Sequence, residues 1–181
     1  RNGLYAEFSP KPLPDQPGSG QHINISIKGG DEKDTNHMLA GILSTVADMT
    51  VFLNPSKQSF HRLGFNKAPK YISWSSENRS QLIRIPAATG ENRRAELRSP
   101  DPLANPYIAY TLLIYAGLYG IQNKLELPDP ANANLFTADA ETLAKYKTLP
   151  LSLAEARKRA FDSSFVREHL PLSLIEYFCN R

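Results

Sequence analysis

The chain has 181 residues, of which 41% are hydrophobic and 22% charged, with a net charge of +3. That composition excludes the disordered and fibrous classes and is enough for one domain with a real core. The mild positive charge is not a nucleic-acid signature, and no aromatic–basic interleaving or helix-turn-helix pattern occurs, so no nucleic-acid partner is expected.

In chain order, residues 4–8 read as a strand ended by Ser9-Pro10-Lys11-Pro12, where proline blocks ladder hydrogen bonds. That start, with no initiator methionine, is the pattern expected of a piece of a longer protein. Residues 13–20 are a loop, and 21–28 a strand. Its strict alternation puts Ile23, Ile25 and Ile27 on one face and His22, Asn24 and Ser26 on the other. Asp34 or Thr35 is the expected cap of a helix over 36–52, with Met38, Ile42, Val46 and Met49 as its apolar stripe. Residues 57–70 read as a charged loop.

Three strand-like runs follow at 71–75, 81–86 and 94–98, with Thr89-Gly90-Glu91-Asn92 as a turn between the last two. Asn105 before Pro106 marks the start of a helix reaching about residue 124. Its uncharged run over 106–121 is shorter than the roughly 20 residues a bilayer needs and carries four tyrosines and two glycines, so a buried core helix is expected and no membrane partner. Residues 126–150, with three prolines, read mostly as loop. Ser152 through Glu155 fits a capping box for a helix to about 161, and short helices over 164–169 and 172–180 finish the chain. The expected fold class is α+β, a mainly antiparallel sheet with flanking helices. The single Cys179 cannot form an internal disulfide, and with no signal peptide in the sequence this points to a cytoplasmic protein.

The chemistry sits in a few short motifs. Gly18-Ser19-Gly20 runs into the strand that carries His22, which places a possible metal ligand beside backbone that a ligand can approach closely. In Arg94-Ala95-Glu96-Leu97-Arg98 the period of two puts Arg94, Glu96 and Arg98 on one face. Two readings fit that face: a surface ion-pair ladder, or a carboxylate metal ligand beside a guanidinium that clamps an anion. Arg84 lies inside an apolar strand and reads either as a snorkelled edge arginine or as a phosphate contact. Arg62, taken alone, reads as a solvated loop arginine. His37, His61 and His169 show no partner spacing, no zinc-ligand spacing occurs, and neither a P-loop nor Gly-x-Gly-x-x-Gly is present.

These motifs, taken in order, resemble the C-terminal part of the glutamine synthetase catalytic domain over residues 1–181. The matches include Phe8-Ser9-Pro10-Lys11-Pro12, Gly18-Ser19-Gly20-Gln21-His22, Asn54-Pro55 through Arg62-Leu63, Asn78-Arg79-Ser80, Ile83-Arg84-Ile85-Pro86, Glu96-Leu97-Arg98 and Pro100-Asp101-Pro102 through Asn105-Pro106-Tyr107. The resemblance implies an ATP-dependent ligase that makes glutamine from glutamate and ammonia through γ-glutamyl phosphate, with Mg²⁺ or Mn²⁺ bridging the phosphates. It implies His22 and Glu96 as metal ligands and Gly18, His22, Arg62, Arg79 and Arg98 on the substrate. Asn24, Ser26, Arg79 and Arg84 would meet ATP, and Arg79, Arg98 and Lys67 stand at catalytic positions. It also implies a large homo-oligomer with sites between subunits, so this stretch alone is expected to be inactive.

Three positions depart from the family pattern. Pro17 stands where asparagine is common, and Asn24 where a second histidine often meets the nucleotide. Lys67 replaces a glutamate that shapes the ammonium pocket, and a lysine there repels ammonium. The alternatives are therefore a γ-glutamyl-amine or polyamine ligase, and a non-catalytic relative that binds nucleotide.

Overall fold

The computed structural model describes residues 2–86 and 94–180. Four short strands form one sheet in the order β1 (Ile23–Ile25), β4 (Ala95–Leu97), β3 (Ile83–Arg84) and β2 (Trp74–Ser75). The pairings β1–β4 and β4–β3 are antiparallel, and β3–β2 is parallel. The register sets the chemistry of the two faces. Ile23, Leu97 and Ile83 lie opposite one another in one row, and Asn24, Glu96 and Arg84 in the next. Because side chains alternate along a strand, the first row faces the core and the second faces away from it. The apolar row is at most 8% exposed.

The apolar row shares one buried cluster with α1 (Glu32–Leu53); α2 (Lys57–Arg62), α3 (Pro106–Gln122), α4 (Ala140–Leu143), α5 (Leu153–Asp162), α6 (Ser164–His169) and α7 (Leu172–Cys179) are the other helices among the described residues. The expected stripe of α1 is buried, but so are Leu39, Leu43, Phe52 and Leu53, because α3, α5, α6 and α7 all pack against this one helix. Gly41 and Gly120 let α1 and α3 cross closely, since a Cβ on Gly41 would come within 2.7 Å of Gly120 backbone. By length and composition α1 is apolar enough to cross a bilayer, but 78% of that window is buried inside the protein.

The structure corrects several expected boundaries. Residues 4–8 form no strand: Leu4 and Tyr5 are each 86% exposed, and no described strand pairs with them. The strand expected over 21–28 shrinks to three residues, the length of its partner β4. Asp31, not Asp34 or Thr35, caps α1; its side chain accepts from Asp34 N at 2.8 Å, and Asp34 Oδ2 accepts from Asp31 N at 3.3 Å. A turn at Gly29 (φ 74) makes that earlier cap available. The supposed loop from residue 57 begins with α2, whose reciprocal cap joins Ser56 and Ser59. At α5, Ser152 accepts from Glu155 N, but the Glu155 carboxylate turns to Leu151 N at 2.8 Å instead of closing the box on Ser152. The turn expected at 89–92 lies outside the described residues.

Candidate functional site

The polar row of the sheet opens onto a cleft of about 400 Å³. Glu96, on the central strand, is its hub. Its Oε1 accepts from His22 Nδ1 at 2.7 Å, and its Oε2 faces Arg84 Nη1 and Arg98 Nη1, each at 3.4 Å. Burial pushes the Glu96 carboxyl up, but Arg98, His22 and Arg84 outweigh it, and the net shift is downward. Glu96 is thus a carboxylate and accepts only, so His22 Nδ1 carries the proton and Nε2 keeps its lone pair. Burial first, and then the charge of Arg98, hold His22 below its ordinary value of 6.5, so at neutral pH the ring is uncharged.

Arg62 is the site residue that the sequence described least well. It ends α2, is 3% exposed, and donates from Nη1 to Ser99 O at 2.6 Å and from Nη2 to Arg98 O at 3.3 Å. Its partners are backbone carbonyls, so it is not the solvated loop residue expected. The Gly18–Gly20 turn passes directly over this side chain: a Cβ on Gly20 would meet Arg62 Nη2 at 2.5 Å, and one on Gly18 would meet its Cγ at 2.8 Å. The glycines make room for a buried guanidinium and line the cleft.

Asn54 and Asp101 support Arg62 and were given no role from sequence. Asn54 Nδ2 donates to Ser99 O at 2.8 Å and to Asp101 Oδ2 at 3.0 Å. Burial raises Asp101 above the ordinary carboxylate range, while hydrogen bonds from Ser59, Asn54 and Leu103 and the charge of Arg62 act the other way. The available signal was a buried-type polar pair, Asn54 at a helix end and Asp101 between two prolines.

The far wall is the loop after α2. Gly64, Asn66 and Lys67 all have positive φ (82, 40 and 74), and Gly64 N donates to Ala68 O at 2.8 Å. This turn presents Lys67 O to Arg98 Nη2 at 3.3 Å. Lys67, Arg79 and Gly18 line the cleft together with His22, Glu96 and the arginines 62, 84 and 98. Asn24 and Ser26 do not. Asn24 lies beside Glu96 in register, but its side chain accepts from Arg94 Nε at 3.2 Å, and Ser26 falls past the end of β1.

His22 and Glu96 suit a hard divalent cation by donor type, one imidazole and one carboxylate at the edge of an open cleft. They are two ligands of a larger set, for among the described residues no group of three or more His, Cys, Asp or Glu side chains converges. Phosphate oxygens and water complete such sets. The remaining lining is cationic and suits anions: guanidiniums provide planar, multidentate donors for carboxylate and phosphate.

The profile described as glutamine synthetase, catalytic domain, matches residues 1–181. The glutamine synthetase of Methanosarcina mazei is 42% identical over 185 aligned positions, covering 93% of this chain and 41% of that protein. The glutamine synthetase of Staphylococcus epidermidis is 37% identical, covering 99% of this chain and 44% of that protein. A solved structure described as a GmaS/ADP complex superposes with a TM-score of 0.83 at 25% identity, over 96% of this chain and 44% of that one. The chain thus spans less than half the length of these relatives.

Proposed function

This chain belongs to the glutamine synthetase catalytic-domain family, and from that premise we propose that the protein joins ammonia to the γ-carboxylate of glutamate at the expense of ATP. The observation that carries the reading is the placement of Glu96 between His22 and two guanidiniums on the wall of a cationic cleft. A γ-carboxylate oxygen attacks the terminal phosphorus of ATP, ADP leaves, and an acyl phosphate remains. Ammonia then attacks the acyl carbon, phosphate departs with the C–O bond, and a proton is lost to give the amide.

In this reading Arg62 and Arg98 hold glutamate carboxylates. Arg79 and Arg84 meet phosphate oxygens, so that charge spread over the transferring group falls on fixed donors. His22 and Glu96 would hold a divalent ion, Mg²⁺ or Mn²⁺, which would supply Lewis-acid charge neutralisation to the reacting phosphate. Assembly into a large homo-oligomer belongs to the same proposal.

Lys67 on the cleft wall favours a second reading, in which an amine and not ammonia is the acceptor. Both are tested on the whole protein by phosphate release from ATP with Mg²⁺ and glutamate, comparing ammonia with methylamine and diamines. Ammonia-dependent release establishes the first reading, release with amines alone establishes the second, and no release with any acceptor sinks both.

A further inference from the structure

Among the described residues, five cationic side chains line the cleft, Arg62, Lys67, Arg79, Arg84 and Arg98, against one carboxylate, Glu96. They do not share that carboxylate equally. Arg62 spends its terminal nitrogens on backbone carbonyls. Arg84 and Arg98 both reach the same Glu96 oxygen at 3.4 Å, and each keeps a buried Nε without an acceptor. Among the described residues, no ion pair joins Lys67 or Arg79 to any acidic side chain. A cleft with this balance lacks anionic charge, and like charges packed together in a partly buried site are costly until an anion arrives.

The backbone at Lys67 narrows the choice. Its φ of 74 is a conformation that glycine takes freely and a residue with a Cβ takes under strain. The turn that needs this conformation delivers Lys67 O to Arg98 Nη2, which ties the base of the lysine to the guanidinium beside Glu96. The turn geometry calls for glycine, so the lysine side chain has no backbone reason to be there. It adds a cation to a lining that already carries four guanidiniums.

We propose that Lys67 is an oxyanion ligand: its ammonium binds a phosphate-class oxygen in the cleft, on the phosphoryl side and not the amine side of the reaction. This rests on reading the cleft as a phosphoryl-transfer site, and it goes beyond that reading by giving the departing residue a ligand. An ammonium is a compact point charge well suited to a phosphate oxygen.

The test is equilibrium binding by calorimetry on the intact protein, at low ionic strength and with EDTA so that no cation bridges the ligand. Inorganic phosphate, ADP and glutamate are titrated into wild type, Lys67→Gly, Lys67→Gln and Lys67→Glu. Lys67→Gly is the decisive variant because glycine accepts the turn, and its melting temperature should equal or exceed that of wild type. Phosphate affinity is expected to fall about tenfold in the glycine and glutamine variants and further in Lys67→Glu, and to weaken with added salt. A loss for phosphate alone places Lys67 at the transferred group, and a loss for phosphate and ADP places it at the nucleotide; both support the proposal. Wild type that binds no phosphate, a glycine variant within twofold of wild type, or a loss confined to glutamate overturns it. Because binding is read without turnover, a protein that binds phosphate through Lys67 yet makes no glutamine or amide sinks the ligase reading alone.

Discussion

Around α1 the large side chains are held by apolar burial: Leu39, Ile42, Met49 and Phe52 are each at most 1% exposed and touch one another through a single cluster. At the cleft the same chain uses strands of two and three residues, and what holds their cleft-facing side chains is polar. Arg62 hangs on two carbonyls, Asn54 on a carbonyl and a carboxylate, and Glu96 serves three partners at once. The helical layer is redundant, since losing one contact leaves many. The cleft is less so, since Glu96 is the one carboxylate among the described residues that line it. The difference teaches that changes in one region should read mainly as stability and in the other mainly as ligand binding.

The largest expected effect tests the redundant side. Leu39→Ala removes a fully buried side chain from the middle of α1 and should cost about 4 kcal/mol in urea unfolding. The fraction still folded should bind phosphate as wild type does. A folded Leu39→Ala protein with strongly reduced affinity would show that the helical layer tunes the cleft and would break the comparison.

Glu96→Gln tests the other side. It preserves shape but leaves Arg84 and Arg98 without their shared counter-charge and alters the partner of His22. The expected stability loss is smaller, about 2 kcal/mol, while phosphate release should drop to background in the assay with ATP, Mg²⁺ and glutamate. Near-normal turnover in this variant would contradict the role given to Glu96.

How much of this was readable beforehand depended on range. The alternation of Ala95 and Leu97 against Glu96 and Arg98 is written in five consecutive residues, and the structure keeps it: Ala95 and Leu97 are 1% and 2% exposed, with Glu96 on the opposite face. The start of α3 is written in Asn105-Pro106 and is where the cap forms. Arg62 was misread because its partners are the carbonyls of Arg98 and Ser99, more than thirty residues away, and carbonyls leave no side-chain signature. The start of α1 slipped because Asp31, Asp34 and Thr35 are all cap formers, and the glycine turn decides among them. Residues 4–8 have the composition of a strand, but a strand also needs a partner.

A third prediction uses pH to separate the regions. His22 titrates below its ordinary 6.5 in the folded chain, so the unfolded chain takes up the proton first. Stability is therefore full above pH 6.5 and declines as pH falls from there toward the lowered folded value. Glu96, ordinarily 4.5 and also lowered, adds its own loss only below that value, as pH falls through its folded pKa. The urea midpoint should thus drop from pH 8 to pH 5, and His22→Gln should flatten that drop while Leu39→Ala leaves its shape intact. An unchanged slope in His22→Gln would remove the half-buried His22 ring from the explanation.

The smallest effect is the most discriminating. Asn105 caps α3 through its Oδ1, which accepts from Tyr107 N at 3.0 Å and from Ile108 N at 3.4 Å. Asn105→Ala should cost about 1 kcal/mol, a modest shift in melting temperature. Yet residues 99–105 join the two regions: Ser99 O receives Arg62 and Asn54, Asp101 N donates to Leu53 O at 3.2 Å, and Ala104 N donates to Asp101 O at 3.0 Å. If that segment is pinned by Asn54 and Asp101, fraying the cap stops there and phosphate affinity stays within twofold of wild type. If affinity falls with the cap, α3 holds Arg62 in place through Ser99, and the cleft draws its order from the helical layer.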